Sequence, residues 1–391
     1  MSQQFVSAKK KIRLPGSIQE LVPSLSALIA IVTAMTLIDH KFLLPSNITN
    51  LLLQQAEPAT LAIGLVMILL LGEIDLSVGA VSGFCAGIMA SLSVRHGMNP
   101  IIAIVIAIIA GALVGLFQSL WVVYFEIPAF IITLAGLIAW QGGLFAVLGS
   151  QGTIGITDPT IEFLTQAFLS QTVAWVLFII LVISFTFFRS LNYFKSEKLS
   201  IAGPSLRIVI LQSIVFALIG TVFLVYFQRD RGIPVSFFIA LCLAIWLHLI
   251  SRYTRFGRNV YAIGGNAEAA RRAGVQVKRV RVQVFMIATA CAGLAGILGS
   301  SRLSAVGSGQ GGGTLLLNSI AAVVIGGTSL FGGRGHIWSA VIGTLIIGAI
   351  SNGMDLLALA SPVKYGVTAS VLLAAVTFDS ISRRRASQMT T

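Results

Sequence analysis

Long apolar runs, separated by short polar stretches, dominate the chain between about residue 22 and residue 378. Most of them approach the ~20 residues that a helix needs to cross a bilayer. Membrane β-strands would instead alternate weakly over segments of about ten residues. The pattern therefore predicts an all-α polytopic membrane protein with about 12 transmembrane helices, or at least about 10. The predicted spans are 22–38, 51–71, 76–94, 101–123, 128–148, 171–188, 206–226, 234–250, 282–300, 314–330, 336–353 and 363–378.

Composition agrees with a membrane protein and limits what else the chain contains. Of 391 residues, 56% are hydrophobic and 10% are charged, and the mean hydropathy is +0.95. A soluble domain carries about 25% charged residues. We assign a single transmembrane domain to 22–379, between tails at 1–21 and 380–391. No gap between spans is long enough for a folded domain of ordinary size. The chain also has no GxxxxGK[ST] phosphate loop, so we expect no ATP hydrolysis by P-loop chemistry.

The placement of the basic residues predicts the orientation. The net charge is +13, but the basic residues gather in loops beside apolar spans, which argues against a nucleic-acid surface. If both termini are cytoplasmic, the inside segments hold 20 of the 26 Lys and Arg residues. The positive-inside rule therefore favours cytoplasmic termini and places residues 251–281 in the cytoplasm.

Residues 251–281 form the longest strongly polar interruption in the chain. Within them, Asn266 is a good N-cap, Glu268 lies in the first turn beside its i,i+4 partner Arg272, and Gly274 can end the helix in a left-handed conformation. The pattern predicts a helix from Ala267 to Ala273. A helix of this length is not stable alone in water, so it needs a surface on which to dock.

Carboxylates at or within the predicted spans are candidates for a polar route through the protein. Glu57 precedes Pro58, which can break the helix and free carbonyl groups for a solute; alternatively Glu57 pairs within the bundle. Glu73, Asp75 and Ser77 lie in GEIDLSVG, where the spacing favours a turn or a broken helix. Asp75 is either an N-cap for the helix that follows or part of an inner gate.

Other polar or small residues inside apolar runs leave two interpretations open. The amides Gln118, Gln141, Asn318 and Asn352 either line a wet route for a hydroxyl-rich solute or join helices by hydrogen bonds. Glycines such as Gly111 and Gly115 predict close helix packing. The run GSGQGGG, residues 307–313, is predicted to be a flexible or re-entrant loop.

We predict no metal and no cofactor. Cys85, Cys242 and Cys291 each lie inside an apolar run without metal-ligand spacing, which favours a packing role. The four histidines are scattered along the chain, and no Ser/His or metal-ligand set converges in the spans. An intramembrane enzyme is therefore disfavoured.

Four motifs resemble the permease subunits of ribose, galactose and xylose ABC importers. They are GEIDLSVG (72–79), IPAFIITLAG (127–136), FGRNVYAIGGNAEAARRAGV (256–275) and IGGTSLFGGRGHIWSAVIGTLIIG (325–348). The added basic and apolar segment at 189–231 is similar to the longer xylose-type members. The third motif contains an EAA-x3-G pattern that is similar to the coupling helix with which these permeases dock into their ATPase. The candidate coupling residues are Gly264, Gly265, Asn266, Glu268, Ala269, Ala270 and Gly274.

The resemblance implies the translocation subunit of an ATP-driven sugar importer, with a monosaccharide such as xylose as its solute. It further implies a bacterial inner-membrane location, a permease homodimer, a separate cytoplasmic ATPase and a periplasmic sugar-binding protein. The chain itself would then be no enzyme. The competing hypothesis is a self-sufficient secondary transporter in which Glu57, Glu73 or Asp75 carries a proton.

Overall fold

The computed structural model describes residues 21–198 and 205–371, together with residues 373 and 377. These residues are predominantly helical. The helices are α1 (Val22–Ile38), α2 (Pro45–Leu70), α3 (Val78–Ala90), α4 (Pro100–Tyr124), α5 (Ala129–Leu148), α6 (Pro159–Gln166), α7 (Gln171–Lys198), α8 (Leu206–Phe227), α9 (Val235–Tyr253), α10 (Arg255–Gly265), α11 (Ala267–Arg272), α12 (Val277–Leu303), α13 (Gly313–Ile325), α14 (Ile337–Leu356) and α15 (361–371).

Short elements occupy the connections. Strands β1 (Thr153–Gly155) and β2 (Ala305–Gly307) pair antiparallel, with Ile154 opposite Val306. Single 3₁₀ turns lie at His40–Leu43 and Gly149–Gln151, and a π turn at Ser91–Arg95 extends α3. The β1–β2 pair ties the segment after α5 to the segment after α12.

The helical membrane class is confirmed. Nine helices in the described part of the chain are long and apolar enough to cross a membrane, and α1 and α13 are shorter apolar helices. At about 1.5 Å per residue, the 13-residue α13 covers only part of a bilayer core about 30 Å thick. The full count of 12 and the cytoplasmic termini stay predictions. Residues 1–20 and 380–391, and part of the last predicted span, lie outside the described residues.

Helices α2, α3, α12 and α14 form the buried centre of the bundle. Small residues allow their backbones to approach closely. A Cβ at Gly64 of α2 would lie 2.9 Å from the Ala288 carbonyl oxygen of α12, and one at Gly111 of α4 would lie 2.6 Å from the Thr289 carbonyl oxygen. The close packing predicted around Gly111 and Gly115 is confirmed.

The α7–α8 hairpin lies at the edge of this bundle. Its two helices pack mainly on each other, and Phe185 stacks on Phe216 with ring centroids 4.6 Å apart. Large apolar side chains such as Ile183 and Ile219 are more than half exposed. Exposed apolar helices of this kind suit contact with lipid hydrocarbon.

The chain breaks between α2 and α3, at residues 71–77, and α3 begins inside the bundle. Ser77, which precedes α3, bonds to Gln118, six residues before the end of α4. A Cβ at Gly136, seven residues into α5, would lie 3.3 Å from the Ser77 Cβ. Ser77 therefore lies about 9–10 Å inward from those helix ends. Pro58, by contrast, does not break α2, which runs continuously from Pro45 to Leu70.

The glycine-rich loop before α13 also enters the bundle. A Cβ at Gly79, near the start of α3, would lie 2.7 Å from the Gly311 carbonyl oxygen. Gln310 is only 8% exposed. Of the two conformations predicted for residues 307–313, the structure shows the re-entrant one, because the loop enters the bundle beside the start of α3.

Candidate functional site: a capped exposed helix and two helix breaks

Helix α11 is built by local interactions that the sequence predicts. The Asn266 Oδ1 accepts a hydrogen bond from the Ala269 backbone N–H, with N and O 2.9 Å apart. Glu268 pairs with both Arg271 and Arg272, each with an N–O distance of 3.0 Å. Gly274 follows with φ 85°. The helix ends at Arg272, one residue before the predicted end, and Ala273 is its C-cap.

The two arginines also set the charge state of Glu268. Their hydrogen bonds hold the pKa of its carboxyl below the ordinary value. Glu268 is therefore ionised at neutral pH. Because all three side chains are largely exposed, these pairs contribute little to stability. They chiefly fix the positions of the charged side chains on the surface of α11.

Most of α11 faces solvent. Of the seven candidate coupling residues, Gly264 and Ala270 face the protein, and the others are exposed, namely Gly265, Asn266, Glu268, Ala269 and Gly274. Ala270 is 5% exposed and is the only buried residue of α11. One small contact thus anchors the helix, and its remaining surface is open for a partner.

An open groove of about 980 Å³ lies beside α11. It is bordered by the break at Gly72–Ile74, by residues 122–130 between α4 and α5, and by the first turns of α12. Arg281 of α12 forms an ion pair with Glu73 across this region, with N and O 2.8 Å apart. The candidate gate residue Glu73 is therefore joined to the helix that follows α11. Its partner Arg281 had no signal in the sequence beyond its positive charge.

The other residues of the break form a buried network. The Ser77 backbone N–H donates to Asp75 Oδ1 at 2.8 Å, and the Ser77 hydroxyl donates to the same oxygen at 2.6 Å. The Ser77 Oγ also lies 3.0 Å from Gln118 Oε1. Asp75 Oδ2 and Gln118 Nε2 are buried without a hydrogen-bond partner. Asp75 therefore fixes the turn that precedes α3, but the helix begins at Val78 with Ser77 as its N-cap, so Asp75 lies two residues before the N-cap position that was predicted for it.

A second polar group lies at the re-entrant loop. Glu57, near the middle of α2, accepts a hydrogen bond from Gln310 Nε2 at 3.2 Å. Its carboxylate occupies the space beside Gly299 that a side chain there would fill. Gln141 of α5 donates to the Ser308 carbonyl oxygen at 2.8 Å. Glu57 and Gln141 thus hold the same loop from opposite sides, and Gln310 is a partner that the sequence alone did not identify.

The last two candidate amides lie apart from these groups. Asn352 and Asn47 exchange two hydrogen bonds, of 2.7 and 3.0 Å, between α14 and α2. Asn318 of α13 borders a separate cavity of about 510 Å³, together with Ser351 and Tyr365. Within the described part of the chain, the candidate route residues therefore occupy four separate places.

Nine candidate spans in the described residues, polar groups buried among them and a capped helix held in solvent define a polytopic helical transport protein. Among the described residues, no group of three or more His, Cys, Asp or Glu side chains is arranged to hold a metal ion. The chain belongs to the family described as branched-chain amino acid transport system / permease component, whose profile matches residues 47–376.

Individual relatives are similar over nearly the full chain. The xylose transport system permease protein XylH of Escherichia coli is 34% identical over 364 residues, which is 92% of each chain. Its counterpart in Haemophilus influenzae is 35% identical over 89% of this chain and 92% of the relative. The ribose import permease protein RbsC of Bacillus subtilis is 31% identical over 97% of this chain and 98% of the relative. No solved structure matches the chain. These relatives are permease components, so the predicted permease class is confirmed.

Proposed function

We propose that the chain is the translocation subunit of an ATP-driven, binding-protein-dependent sugar importer in a bacterial inner membrane. The carrying observation is α11: a capped, solvent-facing helix with one buried anchor, at the position of the EAA-x3-G pattern. A passive subunit needs such a surface because another chain must deliver the energy. The relatives named for xylose and ribose support a pentose as the solute, with xylose first.

The family implies an ATPase and a substrate-binding protein as partners. We place the ATPase on α11 and the groove beside it, where Glu268, Arg271 and Lys278 offer both signs of charge. The binding protein docks on the opposite side, where β1, β2 and the start of the re-entrant loop lie. Residues 22–379 then form one translocation domain, and 251–281 form its coupling loop.

The sugar route is placed where two copies of the chain meet. The surface shared by α13, α14 and α15 carries Asn318, Ser351 and Tyr365 around the cavity of about 510 Å³. Polar side chains at membrane depth face protein or a water-filled cavity, not lipid. A second copy seated against this surface covers it and completes the route.

The proposed function is tested by copurification and by stimulated hydrolysis. The full-length permease is coexpressed with the ATPase and the binding protein of its own transport system. The expected result is a stable permease–ATPase complex whose ATP hydrolysis rises when the binding protein carries a pentose. Stimulation by a branched-chain amino acid instead would replace the substrate class. A permease that purifies without any ATPase, and transports sugar without one, would refute the proposal.

A further inference from the structure

The C-terminal end of α10 makes a close backbone contact with two other segments of the protein. A Cβ at Gly264 would overlap the Leu70 carbonyl oxygen and would lie 2.5 Å from the Gly333 backbone nitrogen. The Gly333 N–H itself donates to the Leu70 carbonyl oxygen at 3.0 Å. Three backbone segments thus touch without side chains between them. We call this contact, formed by residues 70–72, 264–265 and 332–333, the glycine junction.

Two of the three segments belong to breaks between helices. Residues 70–72 open the break that leads through Asp75 and Ser77 into α3. Residues 332–333 lie in the connection between α13 and α14. A Cβ at Gly332 would lie 2.7 Å from the Gly264 carbonyl oxygen and 2.8 Å from the Gly72 nitrogen, so the two breaks also contact each other. Any shift of one segment must displace the other two, since closely packed backbone has no rotamers with which to adapt.

The third segment belongs to the helix that carries α11. Gly265 is followed by Asn266, the N-cap of α11. Helix α10 is anchored on its inner face by Gly257, Val260 and Ile263, all of them buried. A displacement of α11 is therefore transmitted to Gly264 through a short, rigid connection.

One side-chain contact connects the coupling loop to the first break, and another connects it to the second break. Arg281 of α12 pairs with Glu73 in the first break at 2.8 Å. The Tyr261 hydroxyl of α10 donates to the Gly335 carbonyl oxygen in the second break at 2.9 Å. The coupling loop thus holds both breaks by backbone and by side chains.

We propose that the glycine junction is the joint that moves both helix breaks together when the ATPase displaces α11. Gly264, Tyr261 and Arg281 are then positioning residues for the transport cycle. This inference rests on the proposed function. It adds the place at which one displacement, that of α11, is transmitted to both helix breaks. Elements that move as units carry coupling between distant sites in this way.

The test uses Gly264→Ala in the full-length permease, reconstituted into proteoliposomes with its ATPase and binding protein. Sugar uptake and ATP hydrolysis are measured in the same vesicles. The added methyl group separates the three segments but leaves the exposed surface of α11 unchanged. The expected result is normal ATPase copurification with a fall in sugar transported per ATP of about fivefold or more, the size of an ordinary coupling term.

The matched control is Ala262→Ser, which also adds one heavy atom to α10 but at an exposed position. It should leave the ratio of sugar to ATP at the wild-type value. A wild-type ratio in Gly264→Ala, or an equal fall in Ala262→Ser, would overturn the joint. Absence of ATP-dependent uptake by wild-type vesicles would instead overturn the proposed function, and with it this inference.

A second set of variants keeps the test decisive if Gly264→Ala fails to fold. Tyr261→Phe removes only the hydroxyl, and Glu73→Gln removes only the charge. Each single variant is expected to lower the amount of sugar transported per ATP by some factor. If both breaks move through one joint, the double variant lowers this ratio by less than the product of the two single factors, because contacts that share a path are not additive. A loss equal to that product would show two independent contacts and overturn the proposal.

Discussion

Gly274 shows how one residue controls the end of α11, the docking surface that we propose for the ATPase. Its φ of 85° lies in the left-handed region, and nothing lies within 4 Å of where its Cβ would be. Space is therefore available there, and only the backbone conformation restricts substitution. A β-branched residue in this conformation costs about 1–2 kcal/mol, whereas asparagine is tolerated at the same position of a helix end.

This difference gives a matched pair of variants. Gly274→Val should fray α11 and abolish copurification of the ATPase, while Gly274→Asn should retain it. The measurement is affinity copurification in detergent from cells that express both subunits. Thermal unfolding of the permease alone should be similar for the two variants, because α11 is outside the bundle core. Equal copurification of both variants would contradict the role of α11.

The pH dependence of folding stability can distinguish a structural role of Glu73 from a functional one. Burial raises the pKa of its carboxyl, and the Arg281 guanidinium opposes that rise. Because the folded pKa lies above the ordinary value, the ionised carboxylate costs folding stability at neutral pH, and this cost disappears as the pH falls. A charge that costs stability and yet joins the break to α12 points to a role in the transport cycle.

The variant Glu73→Gln tests that balance. At pH 7 it should unfold in detergent at a temperature equal to or above that of the wild type, and the difference should vanish as the pH falls toward 4.5, the ordinary value for glutamate. Its sugar transport per ATP should nevertheless be lower. A variant that unfolds earlier than the wild type at pH 7, with normal transport, would show that the ion pair serves stability alone.

At the scale of elements, Asn47 and Asn352 show how α2 is held to α14. Their two mutual hydrogen bonds satisfy both amides between apolar helices. Asn47 also donates to the Phe42 carbonyl oxygen at 2.8 Å. Asn352 is itself buried, and both its amide oxygen and its amide nitrogen are already bonded to Asn47. We therefore propose that Asn352 joins helices and does not bind the solute.

Asn352→Leu should lower the unfolding temperature in detergent, since interhelical hydrogen bonds are worth about 0.6–2 kcal/mol. The KM for sugar in reconstituted transport should stay at the wild-type value. Asn47→Leu combined with Asn352→Leu should recover part of the lost stability, because neither amide is then left unpaired. A raised KM with unchanged stability would place Asn352 in the route instead.

The elements also show what could be predicted from sequence. Helix α11 was predicted to within one residue because N-cap, ion pairs and C-terminal glycine all act locally. The break at GEIDLSVG was predicted for the same reason. Pro58 was a misleading signal, since α2 passes through it unbroken in a closely packed bundle. The contacts of Gln310 and Arg281 join residues 253 and 208 positions apart, and no local pattern reports such a pairing.

At the scale of the whole molecule, the described structure separates the ATPase contact that we propose from the sugar route that we propose. The coupling loop and both helix breaks meet on one side of the bundle. The re-entrant loop, held by Glu57 and Gln141, lies between the start of α3 and the start of α13. The polar surface of α13, α14 and α15 stays open at the edge of the chain. This arrangement fits a subunit that is moved from one side and completed by a second copy.

The buried carboxylates are the basis of the competing hypothesis, in which a proton gradient drives transport. Glu57 is engaged by Gln310, and Asp75 accepts hydrogen bonds from Ser77 just before α3, so each has a structural role. Neither of these two carboxylates borders either of the two cavities described above; Glu73 does border the groove beside α11, and there it is paired with Arg281. The hypothesis of a self-sufficient transporter gives no account of the capped, exposed helix α11.

The decisive measurement is sugar uptake by proteoliposomes that contain the full-length permease, under two driving forces applied separately. We expect accumulation of a pentose when the ATPase, ATP and the binding protein are all present, and none from a proton gradient across vesicles that contain the permease alone. Accumulation driven by the proton gradient without the ATPase would contradict the account.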